Sequence, residues 1–160
     1  KVNILNEGLV YILNEMLTST YSSDFIDYNY PTLISFSGKL SKKYAVKTGT
    51  TDTDRLIFGY NNDLLVGVWT GYDDNRESPS SDAYLAKNVW FDAIEGCLSD
   101  KDDNWYEMPS NVVGVIVDPI SGEIADNNTQ HKKMFYYIKG TEPTFDDANL
   151  DILIPTIKEE

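Results

Sequence analysis

Lys47, Thr48, Gly49, Thr50 and Thr51 concentrate chemically useful groups in one short stretch of the chain. They bring together an ammonium, three hydroxyls and a backbone position without a side chain. On an extended strand, residues two apart share a face, so Thr48 and Thr50 would present their hydroxyls together. Lys47 could hold the anionic end of a substrate. Gly49 would let the strand sit against a cleft wall, and the Thr50 N–H could point at a developing oxyanion. Acyl transfer by a serine enzyme needs such a cation and such donors, together with a nucleophile and a base.

These residues need a strand to carry them and a scaffold behind it. Three strands are predicted, at about 43–49, 55–61 and 64–71, the last two joined through Asn61-Asn62-Asp63 as a hairpin. Leu64 to Trp69 is continuously apolar, which suits a central strand covered on both faces. A helix is predicted over 3–18, where Leu5, Leu9, Ile12, Leu13, Met16 and Leu17 recur at helical spacing. Tyr28-Asn29-Tyr30-Pro31 reads as a turn or extended segment, followed by a short helix or loop over 32–42. A second helix is predicted over about 82–98, capped by Ser81 or Asp82, with Leu85, Ala86, Val89, Trp90, Ala93 and Ile94 as its apolar stripe. Ser99 to Asn104 is a charged linker. Beyond it lie a strand at 112–118, a turn at 119–122, a returning edge at 123–125 and a strand at 134–138. The tail from about 145 is acidic. The fold class is thus α+β, an antiparallel sheet flanked by helices over 1–100 with a small β-rich segment over 101–160.

Composition limits the partners. A net charge of −13 opposes nucleic acid and anionic membrane surfaces, both of which call for a basic footprint. Aromatic residues at 12% of the chain are enough for a packed core and argue against general disorder. No apolar run approaches the roughly 18 residues of a membrane span, and the N-terminus carries no signal-peptide core. The single cysteine, Cys97, cannot form an internal disulfide and reads as a small core hydrophobe on the second helix.

The wider string is more specific than the tripeptide. Lys-Thr-Gly-Thr-Thr is followed by Asp54 to Tyr60, ending Phe58-Gly59-Tyr60, and then by an apolar strand ending Val68-Trp69-Thr70-Gly71-Tyr72-Asp73. Later come Val117-Asp118-x-x-Ser121-Gly122-Glu123-Ile124-Ala125 and Ile138-Lys139-Gly140-Thr141-Glu142-Pro143-Thr144. Together they resemble the transpeptidase domain of class A penicillin-binding proteins over roughly residues 1–145, with a partial serine β-lactamase/transpeptidase-like fold. Val46 and Leu56 stand where many members have glycine and tryptophan.

The resemblance implies that Lys47, Thr48 and Gly49 are the third motif of a penicillin-binding site. It implies that Thr50 gives the oxyanion N–H, and that Thr48, Thr50 and Thr51 bind substrate. The implied partners are a peptidoglycan stem peptide and β-lactams, on the extracytoplasmic face of a bacterial membrane. No cofactor and no metal is expected. No serine in the chain has a lysine three positions later, and Ser-x-Asn does not occur. The expectation is therefore that the nucleophile, its lysine base and any membrane anchor precede residue 1, and that this chain alone is inactive. A fragment of this kind should leave an exposed apolar patch, self-associate or find a complementing chain. The competing reading is a non-catalytic extracytoplasmic binding or interaction module derived from the same fold.

Other patterns carry less. Tyr60-Asn61-Asn62 imitates a variant of the second motif but follows the Lys-Thr-Gly strand and falls at a hairpin. Asp100-x-Asp102-x-Asn104 starts like a calcium loop, yet Trp105 stands where glycine is needed and Asn111 where glutamate is needed. His131 and the Asn127-Asn128-Thr129 sequon read as surface loop. Trp69, Tyr72 and Trp90 read as core or sheet-packing residues.

Overall fold

A computed structural model describes residues 4–26 and 29–144. The chain divides into two compact units, residues 1–109 and 110–160. The tail beyond 144 and Tyr28 lie outside the described residues.

In the first unit, helix α1 spans Glu7–Thr18. Its start is set by Asn6, whose side chain accepts the N–H groups of Gly8 and Leu9, so it begins later than the apolar spacing suggested. Short 3₁₀ turns at Ser19–Tyr21, Ser23–Phe25 and Ile34–Phe36 lead to the sheet. Strands β1 (Ala45–Thr50), β2 (Arg55–Tyr60) and β3 (Leu65–Thr70) form an antiparallel meander in that order. Helix α2 follows over Asp82–Leu98. Ser81 precedes it without a side-chain cap.

The register sorts the sheet into two faces. Val46, Gly59 and Val66 align across the strands, as do Thr48, Ile57 and Val68; this face meets α2. The core is Leu33, Phe36, Tyr44, Val46 and Ile57 packed on Ala86, Trp90, Ile94 and Leu98. The α2 residues are spaced four apart, so they form one row along the helix. Tyr44 meets Trp90 edge-on at 6.0 Å, and Phe36 stacks on Phe91 at 5.0 Å. Leu85 and Val89 of the predicted stripe are exposed, because the stripe is wider than the single row the sheet covers. Cys97 is exposed as well. It sits one residue before buried Leu98, off that row, so it is not a core residue.

The opposite face carries Ala45 with Tyr60 and Leu65, Lys47 with Phe58 and Gly67, and Gly49 with Leu56 and Trp69. Here one expectation is corrected, and the exposed apolar patch expected of a fragment is found. Strand β3, expected to be central, is an outer strand of the described sheet and is covered on one face only: Val66, Val68 and Thr70 alternate with exposed Leu65, Gly67 and Trp69. An unbroken apolar run does not report which side is covered. Helix α1 docks on β1 through Gly8, Tyr11, Asn14 and Glu15, which are its buried residues. Its leucine stripe points away: Leu5, Leu9, Leu13 and Met16 are 52–72% exposed.

Polar contacts hold α1 in this orientation. The Tyr60 hydroxyl donates to Asn14 Oδ1 at 2.8 Å. Glu15 pairs with Lys43 at 2.6 Å and accepts the Trp105 indole N–H at 2.7 Å. Trp105 thus fastens residues 101–109 to the rest of the first unit, with help from the Tyr106 hydroxyl donating to the Asn61 carbonyl at 3.0 Å.

One buried phenol, Tyr44, and one half-buried phenol, Tyr21, yield a pH prediction. The Tyr21 hydroxyl donates to the Tyr44 carbonyl at 3.0 Å and accepts the Tyr44 N–H at 3.1 Å. Burial is the main cause pushing both the Tyr21 and Tyr44 phenols above their ordinary value. A raised folded value favours the neutral form, so the stability is whole below about pH 10 and is lost as pH climbs past it. Thermal midpoints measured from pH 7 to 11 should be flat and then fall above about pH 10. A midpoint unchanged at pH 11 would contradict phenols held neutral here.

In the second unit, β4 (Val112–Val117) pairs antiparallel with β5 (Lys133–Ile138). The expected returning edge reduces to a single bridge, Val117 to Ile124. Val112 and Val117 are buried.

Candidate functional site

Strand β1 is an outer strand of the described sheet, so one of its edges is free for a ligand or a further element. Lys47 is exposed at mid-strand, and its ammonium donates to the Thr48 carbonyl at 2.6 Å. It lies in the cross-strand row with Phe58 and Gly67. Thr48 is half-buried on the other face, and Gly49 and Thr50 are exposed. Lys47 and the two threonines therefore leave the strand on opposite faces, as alternation demands.

Thr50 and Thr51 line an open cleft of about 490 Å³ at the end of β1. Its walls are Thr50, Thr51, Asp52 and Arg55 on the hairpin side, with Glu77 and Ser78 on the loop before α2. Lys47, Thr48 and Gly49 do not line it. The two terminal nitrogens of the Arg55 guanidinium donate to the carbonyls of Thr51, Asp54 and Ser78. Ser78 is buried. Its N–H donates to the Asp52 carbonyl at 3.0 Å, and its hydroxyl donates to the Thr53 carbonyl.

The turn between β1 and β2 has its own network. The Thr51 hydroxyl accepts the N–H of Thr53 at 3.3 Å and of Asp54 at 2.9 Å. The hydroxyls of Thr53 and Thr51 donate to Asp54 Oδ2 at 2.7 and 3.1 Å. From β3, the Trp69 indole N–H donates to Asp54 Oδ1 at 2.8 Å. These donors, Thr53 first and Trp69 next, hold the Asp54 carboxyl below the usual carboxylate range. Gly71 leaves room for this contact: a Cβ there would sit 2.7 Å from the Trp69 ring and 2.9 Å from Asp54 Oδ1.

Sequence reasoning gave Asp54 and Arg55 no role of their own, read Trp69 as a core or sheet-packing residue and passed over Ser78. A signal was present in Thr51-x-Thr53-Asp54, since threonine and aspartate at a hairpin tip bond their own backbone. The link to Trp69 depends on strand pairing and had no local signal. No group of three or more histidine, cysteine, aspartate or glutamate side chains that could hold a metal ion occurs among the described residues.

Residues 108–145 match the family described as Penicillin-binding protein 1A, C-terminal domain. The chain is 34% identical over 141 residues to Penicillin-binding protein 2D of Bacillus subtilis, which covers 88% of this chain and 20% of that protein. It is 29% identical over 103 residues to Penicillin-binding protein 1A of Haemophilus influenzae, covering 61% of this chain and 12% of that protein. The chain thus spans a fifth or less of these relatives. The crystal structure of the Haemophilus influenzae protein superposes with a TM-score of 0.75 at 24% identity, over 88% of this chain and 22% of that one, which establishes the fold. Matched in sequence and in fold along most of its length, the chain corresponds to the C-terminal portion of penicillin-binding proteins such as Penicillin-binding protein 1A.

Proposed function

We propose that this chain supplies the Lys-Thr-Gly wall of a peptidoglycan D,D-transpeptidase site whose nucleophile lies elsewhere in a longer polypeptide. The supporting observation is the bare apolar face of α1 beside the exposed β1 edge that carries Lys47. Leucines at 52–72% exposure are costly to leave in water and mark a surface that another element covers.

In this reading a serine from outside the chain attacks the carbonyl between the two D-alanines of a stem peptide. The terminal D-alanine leaves with a proton, and the serine ester is then opened by an amine of a neighbouring strand. Lys47 holds the substrate's anionic end. Thr48 and Thr50 bind the peptide through their hydroxyls, and Thr51 contributes to the substrate-binding end of the strand while its own hydroxyl holds the turn. The Thr50 N–H donates to the oxyanion, where a donor in place is worth most because charge develops there. Gly49 keeps the strand surface flat beneath the peptide. β-Lactams would acylate the same serine. The proposed location is the extracytoplasmic face of the bacterial membrane. Among the described residues no helix is long and apolar enough to cross a membrane.

Labelled penicillin tests this directly. The 160-residue chain should take no covalent label, whereas the longer polypeptide should be labelled on a serine that precedes residue 1. A longer polypeptide that binds stem peptide yet takes no label would instead make this a non-catalytic binding module.

A further inference from the structure

The hairpin tip after β1 is fastened far more heavily than a four-residue turn requires. Asp54 accepts three side-chain hydrogen bonds, one of them from Trp69 on the strand beyond. From the other side, buried Ser78 takes hold of Asp52 and Thr53. Thr51 is held within this network both through its hydroxyl, which donates to Asp54, and through its backbone N–H, which donates to the Asp54 carbonyl at 3.0 Å. Thr50 is the residue immediately before it.

Trp69 makes an odd packing residue. It is half exposed, so only part of its ring packs on the sheet, and its placement also secures the indole-to-carboxylate bond. A charge-assisted bond of this kind is short and directional. Displacing a donor by about 1 Å can cost on the order of 100-fold in rate.

We infer that Asp54 and Trp69 are positioning residues: their bond fixes the hairpin tip and thereby the Thr50 N–H and the Thr51 hydroxyl at the end of the Lys-Thr-Gly strand. The inference rests on the acyl-transfer reading above. Neither residue touches the reacting atoms; both act through the turn.

The test uses the longer polypeptide and labelled penicillin, with the acylation rate constant and the half-saturating concentration measured separately. Asp54→Ala should lower the rate constant by about 10- to 100-fold while moving the half-saturating concentration by less than about threefold. Trp69→Phe keeps a ring over the sheet but loses the N–H, and should lower the rate constant by about 3- to 10-fold. The double variant should be no slower than Asp54→Ala alone, since the bond that Trp69→Phe removes is already lost in Asp54→Ala. A folding defect alone would reduce the amount of protein labelled and leave the rate constant of the folded fraction unchanged. Should Asp54→Ala fail to fold, Trp69→Phe decides by itself. Rate constants within about twofold of the unsubstituted protein in the variants that fold, or losses that multiply in the double variant, overturn the inference. Absence of label on the unsubstituted polypeptide removes the proposed function instead, a result distinct from normal labelling with indifferent variants.

Discussion

Gly59→Ala should destabilise the first compact unit by about 3 kcal/mol, the upper end of what overpacking costs. Gly59 lies in the middle strand, facing α2. A Cβ there would fall 2.2 Å from Cζ2 of Trp90, 2.4 Å from Cε2 and 2.6 Å from the indole nitrogen. Trp90 is fully buried and held edge-on by Tyr44 at 6.0 Å, so the ring has no low-cost retreat. Something in the sheet-to-helix spacing must give. Urea unfolding at neutral pH measures the loss. Combining Gly59→Ala with Trp90→Leu supplies a check, because the smaller side chain vacates the space that the methyl needs. The pair should be less destabilising than the sum of its members by about 1–2 kcal/mol. A Gly59→Ala variant within about 1 kcal/mol of the starting protein would show that the ring approaches the strand less closely than described here.

Lys47→Gln should have the largest effect on chemistry and almost none on folding. Under the acyl-transfer reading, the longer polypeptide carrying this change should be acylated by penicillin about 100- to 1,000-fold more slowly, the scale of losing one placed electrostatic contact to the transition state. Lys47 is exposed, and its bond is to the carbonyl of the next residue. Thermal stability should therefore change by no more than about 0.5 kcal/mol. Lys47→Arg should not restore the rate, because a planar fork does not reproduce a compact ammonium. Undiminished acylation of the glutamine variant would remove Lys47 from the site.

The contrast between these two positions shows what could be read from the chain. The three strands and two helices of the first unit were legible because local signals mark them, among them the period of α2, the apolar run of β3 and the hairpin at Asn61-Asn62-Asp63. Lys47 to Thr51 drew notice because residue type and spacing suffice to suggest chemistry. The covered faces were not legible. Helix α1 has a regular leucine stripe, and periodicity says only that such a stripe needs an apolar partner, not that the partner lies in the same folded unit. Its inward face is instead Tyr11, Asn14 and Glu15, held by Tyr60, Lys43 and Trp105. These contacts join residues 28 to 90 positions apart, and no local pattern encodes them.

Local order along the chain was enough to determine an α+β architecture, the Lys-Thr-Gly strand and its likeness to penicillin-binding proteins. Those properties follow from neighbours a few residues apart, where dihedral preference and side-chain periodicity act. Tertiary packing alone decided that Lys47 and its threonines leave β1 on opposite faces of a sheet covered on one side by α2, that α1 turns its leucines outward, and that Asp54 meets Trp69 across the sheet. Each of these depends on which distant surfaces come together, and the free energy of burial that selects them is not written into any single segment.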